Sequence, residues 1–320
     1  MKSIEMRRRA LMGLTSGLFG LLSMVPLAAH AAFPDKPIKI LVPWPPGGAT
    51  DQVARILVQP LTQALGVSVF VENKGGAGGN IGTQAFIKEK ADGHTLLLAT
   101  SSTNAAGVHL YANQGFDPVK DFAPVSLLCN MAVPANSPWN TLGELMAAAK
   151  KAPGKHTYGS AGIGSSQHLA GAQFKTATGL DINHVPYKGS GPAAVDLMAG
   201  HIDMMIDTGS LSNIAGGKLK ALAVASKKRI AALPQVPTME EAGVPVLASA
   251  WYGIMLPANA PSDAVERLNK EIAKVLSDPD IRTRLQNVGA EVGGGSAAEF
   301  SRFVLSEIKR YESLVKLSGA

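Results

Sequence analysis

Between residues 38 and 100 short apolar runs alternate with segments of helical period, and no other feature narrows the possible folds of this chain as much. Ile38-Lys39-Ile40-Leu41-Val42 reads as a strand. After a Gly-rich turn, Val53, Leu57, Leu61 and Leu65 recur at the spacing of one helix face and stop before Gly66. Val67-Ser68-Val69-Phe70-Val71 then alternates as a strand, and a helix follows near Thr83 to Lys90. Thr95 to Thr100 is short, apolar and bounded, as a buried parallel strand should be. The order βαβαβ implies an open α/β sheet. Pro60 removes a backbone donor inside the first helix and is expected to kink or shorten it.

The rhythm restarts at Thr141, which is spaced with Glu144 to cap a helix from Leu145 to Lys150. Strands are expected at Asp181 to Pro186, Ile202 to Ile206 and Ala221 to Ala225, separated by helices that include Ser165 to Thr178 and Pro192 to Ala199. A Pro-rich stretch from Leu233 to Pro245 leads out, and Trp251 to Leu256 follows it. The remainder is helical: Val265, Leu268, Ile272, Val275 and Leu276 share a face, and Ser296 with Glu299 starts the last helix. Those helices need a sheet to cover. The economical arrangement has a first lobe of residues 32–125 plus 251–320 and a second lobe of 126–250, joined by two hinge strands. A chain of 320 residues, 46% of them apolar, has ample material for two cores.

Residues 1–31 stand apart. Arg7, Arg8 and Arg9 precede an apolar stretch from Leu11 to Leu27, which closes on Ala29-His30-Ala31, the layout of a secretory signal peptide. Thr15, Ser16, Ser23 and three glycines interrupt the stretch, so it falls short of the roughly 20 apolar residues a membrane span needs. Cleavage after Ala31 or Ala32 and a periplasmic location are expected, by the general or the twin-arginine route. Of the 30 Lys and Arg and 24 Asp and Glu, four and one lie in this segment, so the rest of the chain carries 26 against 23. That small excess, with no long basic run and 5% aromatics, offers no nucleic-acid footprint. Cys129 is alone, which excludes an internal disulfide, and reads as a small buried apolar residue.

Four loops have the composition of anion-binding turns: PWPPGGATD from Pro43 to Asp51, GGAGGNIG from Gly75 to Gly82, TSSTN from Thr100 to Asn104, and YGSAGIGSSQH from Tyr158 to His168. In open α/β sheets ligands sit at the carboxyl ends of strands, where such loops lie. A loop that runs into a helix presents free N–H groups and the positive end of the dipole, and Ser and Thr add adaptable donors. No arginine occurs in any of them, which favours a modestly charged ligand over a polyphosphate.

The chain resembles the tripartite tricarboxylate transporter receptor family, the Bug-type periplasmic solute-binding proteins. The resemblance runs from FPDKPI at Phe33 through PGGATD, VENKGGAGGNIG, ADGHTLLLAT, DPVKDFAPVS, YGSAG, SSQHLAG, HVPYKGSGPA and ALPQVPTMEEAG to Trp251-Tyr252-Gly253 and the final helices. It implies a two-lobe, type II periplasmic-binding-protein fold of the Venus-flytrap kind, each lobe an open, mostly parallel sheet flanked by helices, with the ligand in the cleft. It implies a small organic carboxylate as ligand, the membrane subunits of a tripartite transporter as partners, no cofactor and no metal. A monomer is expected, and a sensor's receptor is the alternative role. Carried over by position, the first anion loop is Gly47, Gly48, Ala49, Thr50 and Asp51 with Trp44 beside it. Gly76, Ala77, Gly78, Ser101, Ser102 and Asn104 extend that side, and Ser160, Ser165, Ser166 and His168 oppose it. Asp207 fits an acidic position of the family, or serves as a turn aspartate. Two departures stand out: the stretch from Ser126 to Thr141 is roughly four residues shorter than the pattern, and Gln167 stands where a small hydroxyl residue is usual.

Two enzyme classes fit less well. Gly76, Gly78 and Gly82 form a loose dinucleotide loop, but no acidic residue follows at Leu96 to Ser101 to hold a ribose. A serine hydrolase built on Ser160, Ser166, His168 and Asp207 lacks the G-x-S-x-G elbow. No two histidines stand four apart, and His94, His109, His156, His184 and His201 read as loop or packing residues.

Overall fold

The computed structural model describes residues 33–129, 139–230, 232–247, 250–288, 290 and 292–319. The expected signal at 1–31 and most of the short stretch after Ser126 lie outside them, as does the side chain of Cys129. The strands are β1 (Ile38–Val42), β2 (Val69–Asn73), β3 (Thr95–Thr100), β4 (Phe122–Cys129), β5 (Thr157–Ser160), β6 (Asn183–Pro186), β7 (Met204–Met205) and β8 (Tyr252–Pro257). The helices are α1 (Ala49–Leu65), α2 (Asn80–Phe86), α3 (Gly107–Leu110), α4 (Leu142–Lys151), α5 (Ser166–Thr178), α6 (Ser190–Ala199), α7 (Leu211–Ala215), α8 (Ser262–Ser277), α9 (Pro279–Asn287) and α10 (Ala297–Ser318). A π-helical turn, Ser102–Ala106, runs into α3.

The first lobe is a five-stranded sheet in the order β2-β1-β3-β8-β4. β1 pairs in parallel with β2 and β3, while β8 returns antiparallel between β3 and β4. The two-residue period of a strand divides the core into two layers. Ile38 and Ile40 of β1, Leu96 and Leu98 of β3, and Ile254 and Leu256 of β8 pack with Val53, Leu57 and Leu61 of α1 and Leu268 and Ile272 of α8. Leu41, Leu97 and Met255 belong to the other layer, with Phe86 of α2 and Phe300, Val304 and Tyr311 of α10. Burial of each such side chain contributes about 1.5–3 kcal/mol. Because both faces are covered, β3 is buried along its whole length and apolar from Leu96 to Ala99, whereas β2 alternates at the sheet edge.

The second lobe is a smaller parallel sheet in the order β6-β5-β7. Tyr158, Phe174, Ile182, Met204 and Ile206 form one core with Leu142 and Leu145 of α4; Ala193, Leu197, Ile202 and Met205 form another. A Cβ at Gly171 would overlap the Tyr158 ring, so glycine lets α5 lie directly on β5. That contact fixes where α5 begins.

Several expectations need correction. α1 passes through Pro60 and ends only at Gly66, which caps it in the left-handed region. Burial of Leu57, Leu61 and Leu65 outweighs one lost backbone bond. β4 continues through Val125 and Ser126, the expected lobe boundary, to Cys129. Tyr158 to Ser160, read as the start of a loop, is the central strand of the second sheet. Ile202 to Ile206 contracts to Met204–Met205. Ala221 to Ala225 forms only one bridge, between Val224 and Thr238, because Pro237 has no N–H with which to extend a ladder.

Candidate functional site

The first turns of α1, α5 and α6 meet at a cavity between the lobes, with about 420 Å³ of space including its open mouth. The first lobe lines it with Trp44, Pro45, Gly48, Ala49, Thr50, Thr100, Ser101, Ser102, Trp251 and Tyr252. Ala161, Ser166, Gln167 and Ser190 line it from the second, and Ala250 from the connection. No Asp, Glu, Lys, Arg or His lies among these residues.

What the cavity offers instead is unspent donors. The N-cap of α1 is Gly48, with no side chain to bond the first-turn N–H groups at Ala49 and Thr50. By contrast Thr141, Asp278 and Ser296 close the N-termini of α4, α9 and α10 with their side chains. α6 likewise starts on a glycine, Gly189, with no side-chain cap. The positive dipole ends of three helices, of 17, 13 and 10 residues, meet at one space, and of these only α5 has a side-chain cap, from Ser165. The indole N–H groups of Trp44 and Trp251 are both buried and without a partner among the described residues. The Trp251 indole is wholly enclosed and packs edge-on to Phe300 and Phe303, in the core layer of α10.

Of the residues expected to bind, Trp44, Gly48, Ala49, Thr50, Ser101, Ser102 and Ser166 come together here. Gly47 lies in an adjoining groove with Pro192 and Val195. Asp51 turns away. Its Oδ2 accepts from Gly47 N–H and Arg55 Nε, both at 2.9 Å, and its Oδ1 accepts from Asn73 Nδ2 at 3.0 Å. Burial works against ionisation, but these bonds hold the Asp51 carboxyl below its ordinary range. Asp51 thus braces the loop rather than facing the cavity. Asn104 is also inward, accepting from Thr103 Oγ1 at 2.6 Å and reaching Met255 Sδ at 3.6 Å. Gly76, Ala77 and Gly78 stand outside the lining; the Ala77 carbonyl accepts the Tyr111 hydroxyl at 3.0 Å.

Three residues of the opposing loop are scaffolding. Ser165 caps α5 by accepting from His168 N–H, and His168 Nδ1 accepts from Gly164 N–H at 3.2 Å. Ser160 Oγ and His184 Nε2 are 2.7 Å apart. The His168 ring stacks on His184 at 4.3 Å and His184 on Tyr158 at 4.8 Å. Burial lowers the affinity of both imidazoles for a proton, and His184 falls to about 4. Asp207 is fully enclosed behind Gln167. It accepts from Gln167 Nε2 at 2.9 Å and Ser210 Oγ at 2.8 Å, while burial pushes its carboxyl up.

The lobes touch at several points. Ser166 N–H donates to Ser102 Oγ at 3.2 Å, and the hydroxyls of Thr208 and Tyr252 lie 3.3 Å apart. Gln167, singled out in the sequence only as a departure within the second anion loop, lines the cavity, and Ser190, Trp251 and Tyr252 were missed as lining residues. The signal for the last two is an aromatic pair opening the returning strand β8.

The sequence pattern described as the tripartite tricarboxylate transporter family receptor matches residues 53–319. The chain is 37% identical over 296 residues to Protein BugT of Bordetella pertussis, covering 90% of this chain and 91% of that protein. Its structure is similar to that of an R. palustris protein solved with adipate, at 34% identity and a TM-score of 0.86, over 90% of this chain and 98% of the other. It is also similar to MatC from Rhodopseudomonas palustris with bound malate, at 32% identity and a TM-score of 0.82, over 88% and 100%. The chain therefore belongs to the tripartite tricarboxylate transporter receptor family, and its two-lobe fold is that of the Bug-type binding proteins.

Proposed function

We propose that this chain captures a small organic carboxylate between its lobes and hands it to the membrane subunits of a tripartite transporter, working as a monomer in the periplasm and catalysing no reaction. The observation that carries this reading is the meeting of three helix N-termini, two of them without a side-chain cap, at a cavity whose described lining residues include no charged side chain. Such a site stabilises one or two carboxylates by dipoles and hydrogen bonds alone, and it releases them when the lobes separate. The two related structures carry dicarboxylates, adipate and malate, which supports the ligand class. Against hydrolysis, Ser160 is completely buried and outside the cavity lining. For export, the support is the layout of residues 1–31.

The test is thermal unfolding of the chain from Ala32 onward against mono-, di- and tricarboxylates, with neutral sugars and NAD as controls. A ligand at about 100 times its Kd adds roughly 2.7 kcal/mol of stability. Stabilisation by one carboxylate class is the expected result. Stabilisation by NAD alone, or by no carboxylate, would overturn the reading.

A further inference from the structure

The proposed binding cavity has a neighbour. A second cavity, with about 360 Å³ of space including its open mouth, lies beyond Gln167, with Gln173, Thr208, Arg310 and Tyr311 in its wall. Among the described residues the two cavities share Ser166, Gln167 and Ala250. Ser166 and Ala250 have short side chains, so the body of the partition is the Gln167 side chain.

That side chain is tied at both ends of its amide. Nε2 donates to Asp207 Oδ1 at 2.9 Å, and Oε1 accepts from Ser166 Oγ at 3.3 Å. Gln167 is 8% exposed and Asp207 1%. Asp207 is itself anchored by Ser210 and by the backbone N–H groups of Thr208 and Gly209. Swinging the amide aside would remove a donor from a fully enclosed carboxylate, which burial makes costly. The partition is therefore rigid in the closed lobes.

We infer that Gln167, positioned by Asp207, sets the length of acid the receptor admits. A ligand with one carboxylate at the α1 terminus ends against the Gln167 amide, so short dicarboxylates fit and long ones do not. Beyond the amide the wall mixes Leu169, Ile206, Leu247 and Leu314 with Gln173, Arg310 and Tyr311, so shortening residue 167 opens space that the extra methylenes of a longer acid can fill. This inference rests on the carboxylate reading of the first cavity.

The experiment is calorimetric titration of the wild type, Gln167→Ser and Gln167→Asn with succinate, glutarate, adipate and suberate, each protein first shown to unfold cooperatively. The wild type is expected to favour the short acids. Gln167→Ser should improve suberate relative to succinate by about tenfold or more, the scale set by a methylene or two in a fitted site, with Gln167→Asn between. An unchanged length profile in both variants would overturn the role of Gln167 and leave the receptor reading standing. Absence of binding by all three proteins to all four acids would overturn the dicarboxylate reading, and the length limit with it.

Discussion

The Asp51 carboxylate accepts the Gly47 backbone N–H at 2.9 Å, closing a ring between the first turn of α1 and the loop before it. Arg55 and Asn73 bind the same carboxylate, so a helix, a loop and the end of β2 meet on one buried group. Asp51→Ala should lower stability by about 1.5–3 kcal/mol, the scale of hydrogen bonds made to a charged group. It should also weaken carboxylate binding, because the Gly47-Gly48 turn loses its brace. Urea unfolding and calorimetry on the same preparation check both.

Gly209 of the second lobe lies against Ala49 of the first, and a Cβ added there would meet the Ala49 backbone nitrogen at 3.1 Å. Gly209→Val should therefore hold the lobes apart. The predicted outcome is a larger radius of gyration in solution scattering with ligand present, and a faster ligand off-rate, with little change in the unfolding midpoint of the free protein.

The stacked His168 and His184 rings make stability depend on acid. Burial leads the causes for both, and for His184 the charges of His168 and Lys175 add to it. Folded-state affinity for the proton is thus below the ordinary value of 6.5, so the unfolded chain takes up protons first. The contribution is whole above about 6.5 and is lost as pH falls through the folded value, about 4 for His184. Melting temperature should decline across that window, and His184→Phe, which keeps the stack, should flatten the decline. A flat wild-type profile would contradict the assignment.

A distant control separates folding from binding. Ser296 and Glu299 form a full capping box at the start of α10. Ser296→Ala should cost about 1 kcal/mol in urea unfolding and leave ligand affinity unchanged.

That same box shows which features a sequence reveals. Its signal is local, two residues three apart, and α10 begins where Ser296 and Glu299 say it does. β3 was equally legible, because burial on both faces leaves an uninterrupted apolar run. Ala221 to Ala225 has the composition of a strand but forms only an isolated bridge, a fact set by the prolines opposite it. Site residues were harder. Asp51, Asn104 and Ser165 have the chemistry to meet a ligand, and each spends it on neighbouring backbone or side chains. Which way a loop polar group turns depends on packing that no spacing encodes. Trp251 reaches the cavity only because β8 returns beside β3, a pairing across some 150 residues of chain that local pattern does not encode.

The central claim is that a carboxylate occupies the cavity walled by Trp44 and Trp251. The most direct measurement is the set of indole N–H resonances of ¹⁵N-labelled protein during titration with the acid that stabilises it best. Three tryptophans are present, and Trp139 packs against His156 in the second lobe, away from the cavity. The prediction is that the Trp44 and Trp251 resonances shift with saturating binding while Trp139 stays in place. Movement of Trp139 alone, or of none of the three at saturation, would contradict this placement of the site.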